Sequence, residues 1–302
     1  SGQNNAGKTL GDGSALLTGW LLAMTLPPWS PWWVGVLGAF IAIVIGKQVF
    51  GGLGQNVFNP AMVARVALLI SFPLQLTAWV TPLPLTSLAA PGFMEGLLIT
   101  LGQTPLPDAI TSASLLGYAK TELSRGIGLA QALAANHAPQ LSWLGVRAGS
   151  LGESSALLIL LGGIVLLATR VIRWQTPLGV LAGVLIPALI AHALVPERYL
   201  DASSHLFSGA LMLGAFFIAT DYVTSPVTGA GQLVFGLGVG LMTWVIRSLG
   251  GYPEGVAFAI LFMNALTPII DRSIRPRILG RTWSGRPIVP AADARRGAGN
   301  GI

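Results

Sequence analysis

Apolar residues along the chain are gathered into eight stretches, separated by shorter segments rich in Gly, Pro and charged residues. A helix that crosses a bilayer needs about 20 mainly apolar residues, and fewer where it is broken or covered by neighbouring helices. The pattern therefore predicts an all-α polytopic membrane protein. The predicted spans are Ser14–Leu26, Pro31–Val49, Pro60–Val80, Ser154–Thr169, Pro177–Val195, His205–Thr220, Gln232–Ile246 and Pro253–Ile270.

Proline marks several predicted boundaries. The first span is short and stops at Pro27–Pro28. Pro60, Pro177 and Pro253 are expected in first helical turns, where the amide hydrogen that proline lacks has no partner anyway. Arg65 lies about one turn inside the third span, and we expect its long side chain to snorkel to the membrane surface.

Composition agrees with the membrane class. Of the 302 residues, 53% are hydrophobic and 9% are charged, and the mean hydropathy is +0.70. Soluble domains carry about 25% charged residues, so a soluble surface is excluded. The chain has no Cys, which excludes disulfides, a thiolate nucleophile and a Cys-ligated cluster. His137, His192 and His205 lack metal-ligand spacing and are expected to be structural.

The basic residues predict an orientation and argue against nucleic-acid binding. Of 17 Lys and Arg, seven lie in a tail after Asp271. Cytoplasmic loops are enriched in Lys and Arg, so we expect a cytoplasmic C-terminus. Eight spans then place segment 81–153 outside. On this topology the cytoplasmic segments carry Lys8, Lys47, Arg170 and Arg173, whereas the short outer loops carry Arg198 and Arg247.

An internal repeat is visible in the chain. Gly19–Pro31 and Gly214–Pro226 both read G-x5-T-x4-S-P, and the glycine pairs Gly51–Gly52 and Gly250–Gly251 follow them in the same order. The copies lie five helices apart, and an odd offset predicts an inverted repeat with a site between broken helices. We expect one membrane domain, 1–302, made of repeat one (14–80, incomplete), an outer loop (81–153), repeat two (154–270) and a basic tail (271–302). Completing repeat one requires two further N-terminal helices, hence a five-plus-five bundle.

The repeat nominates residues for an ion pathway. Thr25 and Thr220 stand at predicted helix breaks, where freed backbone groups need a partner. Asp221 is a functional candidate if it lies at membrane depth, whereas it is merely solvated if it lies at the rim. The glycine pairs are candidates for close backbone approach or positive φ. The alternative for all of these residues is an ordinary helix end or turn.

Hydroxyl and small residues are concentrated in the stretch DAITSASLLGYAKT, which begins at Asp108. Ser114 precedes a short predicted helix, Leu115–Lys120, and serine is a favoured N-cap. A phosphate on its hydroxyl would lie at a helix N-terminus, which favours anions, and Lys120 could add a positive charge. The alternative is a capped loop without a ligand.

Three long segments carry a family resemblance. They read GGLGQNVFNPAMVARVALLISFP from Gly51, HLFSGALMLGAFFIATDYVTSP from His205 and GGYPEGVAFAILFMNALTPIID from Gly250. They resemble the RnfD subunit of the Rnf ion-translocating ferredoxin:NAD oxidoreductases and the related NqrB subunit of sodium-pumping quinone reductases. The resemblance extends from about Lys8 to Arg277. It implies a five-plus-five fold similar to urea transporters, in the bacterial inner membrane.

The resemblance also implies a purpose for the hydroxyl-rich stretch. Family members carry FMN on a motif like D-x-x-[ST]-G-A-T, joined by a phosphoester to the last residue. Asp108, Thr111, Ala113 and Ser114 take the matching positions here, and Thr111 is the next candidate acceptor. Ser112 departs from the family Gly, and Ser114 departs from the family Thr.

The resemblance further implies a riboflavin and a set of partners. These are other membrane and peripheral subunits, including a flavoprotein subunit on the outer side, and surrounding lipid. The chain has no G-x-G-x-x-G after a strand, so we expect no NAD site of its own. The ion, Na⁺ or H⁺, stays open. An alternative function is a channel or transporter for a small polar solute without a redox role, and a structural scaffold is a third class.

Overall fold

The computed structural model describes residues 12–80, 82–83, 87, 90–104, 111–112, 114–129, 131 and 148–276. Helices dominate these residues. The predicted site residues Asp108 and Ala113 lie outside the described residues, as do Lys8 and most of the basic tail. For Thr111 the backbone alone is described.

Between Ser14 and Thr77 the chain contains four helices and two irregular turns. The helices are α1 (Ser14–Thr25), α2 (Trp32–Phe40), α3 (Pro60–Ser71) and α4 (Pro73–Thr77). The chain leaves α1 through an extended Leu26 just before Pro27. Helix α2 continues into a π-helical turn at Ile41–Ile45, and a 3₁₀ turn follows at Gln48–Phe50.

Helix α3 begins as predicted but ends early. The Asn59 side chain accepts a hydrogen bond from the Met62 amide at 3.2 Å, and Pro60 occupies the first turn. The prediction of one continuous span from Pro60 to Val80 is wrong. The helix stops at Ser71 because Pro73 follows, and the chain turns into the short α4 and then a strand. α3 is therefore too short to cross a bilayer by itself.

A small segment outside the helical bundle carries the hydroxyl-rich motif. It consists of α5 (Phe93–Thr100), α6 (Leu115–Ser124) and two strands, β1 (Trp79–Val80) and β2 (Thr111–Ser112). The strands pair antiparallel, with Trp79 opposite Ser112 and Val80 opposite Thr111. The pairing attaches the motif to the chain that leaves α3.

The second half contains the longest helices. The helices described in this half are α7 (Ala156–Ala168), α8 (Gln175–Leu194), α9 (Ala202–Phe207), α10 (Leu211–Leu213, continued by a π-helical turn at Gly214–Ile218), α11 (Gly229–Leu249) and α12 (Val256–Ser273). The predicted span His205–Thr220 is not continuous, because the chain breaks at Ser208 and passes Gly209 at φ 66°. Pro253 does not open α12, which begins at Val256.

Glycines bring α8 and α11 into backbone contact. A β-carbon on Gly183 would lie 2.5 Å from the Leu237 carbonyl oxygen, and one on Gly240 would overlap the Val180 carbonyl. Gly179 and Gly236 meet in the same way one turn away, where a β-carbon on either would lie 3.0 Å from the other's Cα. Such small-xxx-small pairs let membrane helices approach closely, and here they join the two longest helices.

Among the described residues, four helices are long and apolar enough to cross a membrane. They are Trp32–Phe50, Gln175–Leu194, Gly229–Leu249 and Val256–Ser273, and three shorter apolar helices accompany them, Ser14–Thr25, Pro60–Ser71 and Ala156–Ala168. Large apolar side chains such as Leu158, Leu189 and Ile190 stay exposed on the outside of these helices. The chain therefore has the features of a multi-pass membrane protein. Of the other four predicted spans, three are helices too short to cross a membrane alone, and the span His205–Thr220 is broken.

The two halves share one core and the same element order. A single cluster of buried side chains includes Leu22 and Met62 from the first half and Ile218, Phe235 and Ile260 from the second. In each half a helix ends at a break, a second helix follows, and a glycine-containing loop leads to a third helix. The inverted relation of the halves and the likeness to urea transporters stay predictions.

Candidate functional site

A cavity of about 400 Å³ lies around Asp221 and is here named the Asp221 pocket. Its walls come from α1, from the start of α3, and from the end of the π-helical turn in α10. Apolar side chains such as Leu21, Phe216 and Phe217 form most of the surface, and polar groups are grouped around Asp221. This volume lies within the usual range of about 300–1,000 Å³ for small-molecule sites.

Asp221 is held by neighbours from both halves of the chain. Its carboxylate accepts bonds from the Thr224 hydroxyl at 3.1 Å, the Val223 amide at 3.2 Å and the Asn59 side-chain amide at 3.4 Å. Asn264 on α12 in turn accepts a bond from the Asn59 backbone amide at 3.1 Å. Asp221 therefore lies beside the N-terminus of α3, where the helix dipole favours a negative charge.

Lys47 brings a positive charge to the same pocket. Lys47 is 4% exposed and lines the pocket together with Asn59 and Asp221. Sequence reasoning nominated Asp221 but did not find Lys47, Asn59 or Asn264. A local signal existed for Asn59, because Asn before Pro is typical of a helix start.

The two repeat threonines line different cavities. The Thr220 hydroxyl donates to the Phe216 carbonyl at 2.9 Å beside the Asp221 pocket, and the Thr25 hydroxyl donates to the Leu22 carbonyl at 2.7 Å. Thr25 instead borders a second cavity of about 30 Å³, here named the Arg65 cavity. Both hydroxyls are thus satisfied by their own helices.

The glycine pairs behave differently from each other. Gly51 and Gly52 adopt φ values of 112° and 95°, which L-residues rarely tolerate, so the expected need for positive φ is confirmed there. Gly250 has φ −81° and caps α11, and a β-carbon on it would lie 2.8 Å from the Ile246 carbonyl oxygen. Gly251 has open space around its α-carbon. The pairs are therefore not structurally equivalent.

Arg65 is buried, and the prediction that it snorkels is wrong. The residue is 7% exposed, its guanidinium lies 5.9 Å from the centre of the Trp79 ring, and its Nη1 has no hydrogen-bond partner among the described residues. Because α3 is short and the chain folds back through Trp79, the side chain is covered. Glu153 and Glu254 line the same cavity and supply the nearest negative charges.

Consecutive residues line the two cavities. Ala61 lines the Asp221 pocket and Met62 lines the Arg65 cavity; likewise Phe217 lines the former and Ile218 the latter. Met62 and Ile218 are 2% and 1% exposed, so both side chains are buried.

A buried ion pair lies at the edge of the Arg65 cavity. Arg247 Nη2 donates to Glu254 Oε1 at 2.7 Å, and Arg247 also donates to the carbonyls of His205 and Ser208 at 2.8 and 2.9 Å. The expectation that Arg247 belongs to a short outer loop is wrong, since it lies in the last turn of α11 and is 4% exposed. A β-carbon on Gly209 would overlap the Glu254 carboxylate, so this close approach requires glycine.

Ser114 is the N-cap of α6, as the sequence predicted. Its Oγ accepts a hydrogen bond from the Gly117 amide at 3.2 Å, and the helix extends beyond the predicted Lys120 to Ser124. Ser114 borders a cavity of about 20 Å³ together with Trp79, Glu153 and Glu254, which also line the Arg65 cavity. The hydroxyl therefore adjoins the buried charges.

Lys120 lies two turns further along α6 and faces another helix. Its ammonium donates to the carbonyls of Gly250 at 2.7 Å and Ile246 at 3.1 Å, and to the Tyr252 carbonyl. Burial lowers the pKa of Lys120 from its ordinary value, and the Arg247 charge acts in the same direction. The three carbonyl acceptors stabilise the charged form.

Within the described residues, no cluster of three or more His, Asp or Glu side chains could hold a metal ion. His205 is 2% exposed and its ring nitrogens have no partner among these residues.

Known proteins share this sequence over most of its length. A model of the NQR2, RnfD, RnfE family matches residues 2–280. The chain belongs to this family. Its curated relatives include an ion-translocating oxidoreductase complex subunit of Stutzerimonas stutzeri, which is 55% identical over 285 residues, 94% of this chain and 80% of the relative. The subunits of the same name from Halorhodospira halophila and Rhodobacter capsulatus are 53% and 47% identical, over 92% and 95% of this chain and 78% and 79% of the relatives.

Proposed function

We propose that the chain is an electron-carrying membrane subunit of an ion-translocating ferredoxin:NAD oxidoreductase complex in the bacterial inner membrane. The family, and relatives named as subunits of an ion-translocating oxidoreductase complex, support membership of such a complex. The long apolar helices support the membrane location. Other membrane and peripheral subunits of the complex, including an outer flavoprotein subunit, would be its partners. The C-terminal tail would face the cytoplasm.

The proposal includes FMN joined by a phosphoester to Ser114. The observation that carries it is the position of the Ser114 hydroxyl at the N-terminus of α6, with the Gly117 amide directed at Oγ across 3.2 Å. Free amides and the helix dipole favour an anion at that point. Gly117 has no β-carbon, and one placed there would lie 3.2 Å from this Oγ, so glycine keeps the hydroxyl accessible.

When bound, a flavin supplies the one-electron and two-electron redox chemistry, and the protein supplies position and electrostatics. α6 holds the attachment hydroxyl, and β2 fixes the preceding residues against Trp79. Arg65 and Arg247 balance the negative charges of Glu153 and Glu254. Lys120 is held by the carbonyls at the end of α11 and adds one positive charge to this region, which favours an anionic group nearby without contacting it. A second flavin, riboflavin, belongs to the same proposal, and the Asp221 pocket has a suitable volume for it.

Ion movement would use the polar groups around Asp221. Its carboxylate is fixed by Asn59 and Thr224 and faces a cavity, which suits a weakly held Na⁺ or H⁺. Lys47 lines the same wall and would compete with a bound cation. An ionisable residue in a membrane domain is a functional candidate by default.

A solute channel or transporter without a redox role is the second candidate. It is favoured by one observation, the two cavities that consecutive residues line on α3 and at the end of α10. Against it, a bare channel gives no purpose to a long loop with a motif similar to an FMN-attachment site.

Fluorescence under ultraviolet light separates the two functions. We expect the denatured subunit, isolated from the native complex, to fluoresce on a gel, and Ser114→Ala to abolish the signal while the protein level stays constant. Ser114→Thr keeps an acceptor hydroxyl and should retain it. Thr121→Val is a matched control, because this hydroxyl on the same helix donates to the Gly117 carbonyl.

The outcomes have distinct meanings. A fluorescent Ser114→Ala subunit would move the attachment to Thr111 or another hydroxyl, and mass spectrometry of the peptide 108–120 would identify it. A wild-type subunit without fluorescence or bound flavin would favour the channel.

A further inference from the structure

Lys120 joins the segment that carries Ser114 to the end of a membrane helix. It lies roughly 9 Å along α6 from the N-cap, at about 1.5 Å per residue. Its ammonium contacts the carbonyls of Ile246, Gly250 and Tyr252, which all belong to the C-terminal end of α11 or to the loop after it. The Lys120 ammonium therefore binds the C-terminal end of α11 and does not contact the hydroxyl at the start of its own helix.

The end of α11 has a physical need for this cation. The last carbonyls of a helix lack partners within it, and the helix dipole makes that end negative. The Gly250 amide closes the helix on Val245 and Ile246 and leaves the carbonyl of Gly250 to another donor. Arg247, in the same turn, is already engaged by Glu254 and the carbonyls of His205 and Ser208.

A second contact holds the other end of the segment. β2 pairs with β1, so Ser112 lies opposite Trp79, and the Arg65 guanidinium of α3 lies against the same ring. Ser114 thus lies between two anchors. One anchor leads to α3 in the first half of the chain, and the other leads through Lys120 to α11 in the second half.

We infer that Lys120 is a positioning residue, which fixes the distance and orientation of the Ser114 attachment site relative to the membrane helices. Its effect on electron transfer rests on the proposed function. With the ammonium removed, α6 keeps its buried residues Leu116 and Ala119 and the β1–β2 pairing, but it loses its hydrogen bonds to the end of α11. Its orientation relative to α11 is then less firmly fixed. The attachment reaction needs the hydroxyl and not this geometry, so positioning and attachment are separable.

The test uses Lys120→Met and Lys120→Arg in the complete complex. We expect Lys120→Met to keep gel fluorescence within about twofold of wild type while ferredoxin-dependent NAD reduction falls about tenfold. Lys120→Arg should restore most of the turnover. Arg125→Met is the matched control. It removes a cation that caps the same helix, is 65% exposed and, among the described residues, forms an ion pair with Glu122 alone. Equal turnover in Lys120→Met and Arg125→Met would overturn the inference.

A chemical rescue guards against misfolding of the variant. The chain has no Cys, so Lys120→Cys introduces its one thiol. Treatment with 2-bromoethylamine recreates a lysine-like ammonium, whereas iodoacetamide gives a neutral side chain of similar reach; wild-type complex treated identically corrects for reaction at other subunits. We expect the first reagent alone to restore turnover. Restoration by both reagents, or by neither, contradicts the need for a charge at this position.

A third measurement keeps the inference separate from the proposed function. Hydrogen exchange of the α6 amides should rise at least tenfold in Lys120→Met relative to wild type and Arg125→Met, whether or not flavin is attached. Unchanged exchange would show that Lys120 does not hold α6. A wild-type complex without covalent flavin would contradict the proposed attachment, but it would not affect the conclusion from hydrogen exchange that Lys120 holds α6.

Discussion

Arg247 and Glu254, seven residues apart, are joined by a 2.7 Å bond between Nη2 and Oε1 across the end of α11. The Arg247 side chain is fully buried and that of Glu254 is 23% exposed. The other carboxylate oxygen, Oε2, accepts the Ala210 amide at 3.0 Å, so Glu254 also fixes the break between α9 and α10. This pair joins α11 to that break at a point close to Ser114, which shares a cavity wall with Glu254.

Glu254→Gln should destabilise the subunit strongly. Glutamine can still accept from Ala210, but it leaves the Arg247 charge buried without a counter-charge, which costs about 3–5 kcal/mol. The measurement is thermal or denaturant unfolding of the subunit in detergent. Glu122→Gln is the control, because it leaves behind Arg125, whose side chain is 65% exposed and stays solvated, whereas Arg247 is fully buried. Similar losses in both variants would contradict a special role for the buried pair.

Gly240→Ala should loosen the contact between α8 and α11. The added methyl group would overlap the Val180 carbonyl and lie 2.8 Å from the Gly183 Cα, both of which are backbone atoms that cannot rotate away. Overpacking of this kind costs about 1–3 kcal/mol. We expect a lower unfolding temperature for Gly240→Ala. Gly35→Ala is the control because nothing lies within 4 Å of the added methyl group, and it should be neutral or slightly stabilising.

Local signals in the sequence predicted local structure well. Ser114 before an apolar helix gave a correct N-cap, and Pro60 gave a correct helix start. Long-range burial was not predictable in the same way. The position of Arg65 about one turn inside a predicted span suggested a snorkelling side chain. In the structure it is covered by Trp79 and by two carboxylates from distant parts of the chain, Glu153 and Glu254.

The predicted spans failed where backbone geometry decides the outcome. The sequence stays apolar after Ser71 and on both sides of Ser208, so the hydropathy pattern predicts one continuous span at each place. Pro73 ends the first helix, and Gly209 with its positive φ interrupts the second. The Asp221 pocket was predicted through Asp221 and Thr220 alone, because Asn59, Asn264 and Lys47 reach it only through tertiary packing.

The buried side chain of Met62, in the wall of the Arg65 cavity, should act as a barrier to ions. Met62→Ala removes most of a side chain that is 2% exposed and enlarges this cavity beside Ala61, which lines the Asp221 pocket. We expect a passive cation leak in proteoliposomes that carry the complex, measured as faster decay of an imposed membrane potential. Leu68→Ala is the control, since Leu68 is fully buried in a different cluster and lines neither cavity. Both changes cost about 2–5 kcal/mol, so equal leaks would point to general destabilisation.

Asp221→Asn should separate ion movement from electron transfer. Asparagine keeps the size of the side chain. Its one oxygen can still accept from the Val223 amide, and the Thr224 hydroxyl can turn to accept from the new amide group, so the turn after α10 should persist. It removes the negative charge from the pocket, and Lys47 then keeps only Asp12 as a counter-charge among the described residues. We expect ion transport per electron to fall about tenfold, while the protein level and gel fluorescence match wild type.

The control for this change is Asp271→Asn. Asp271 also accepts a backbone amide, that of Val227 at 3.1 Å, but it lies outside the Asp221 pocket. We expect its ion transport per electron to match wild type when complexes of both variants are compared in the same proteoliposomes. If Asp221→Asn also transported ions at the wild-type ratio, the carboxylate would have only a structural role, because its negative charge would then contribute nothing to ion movement.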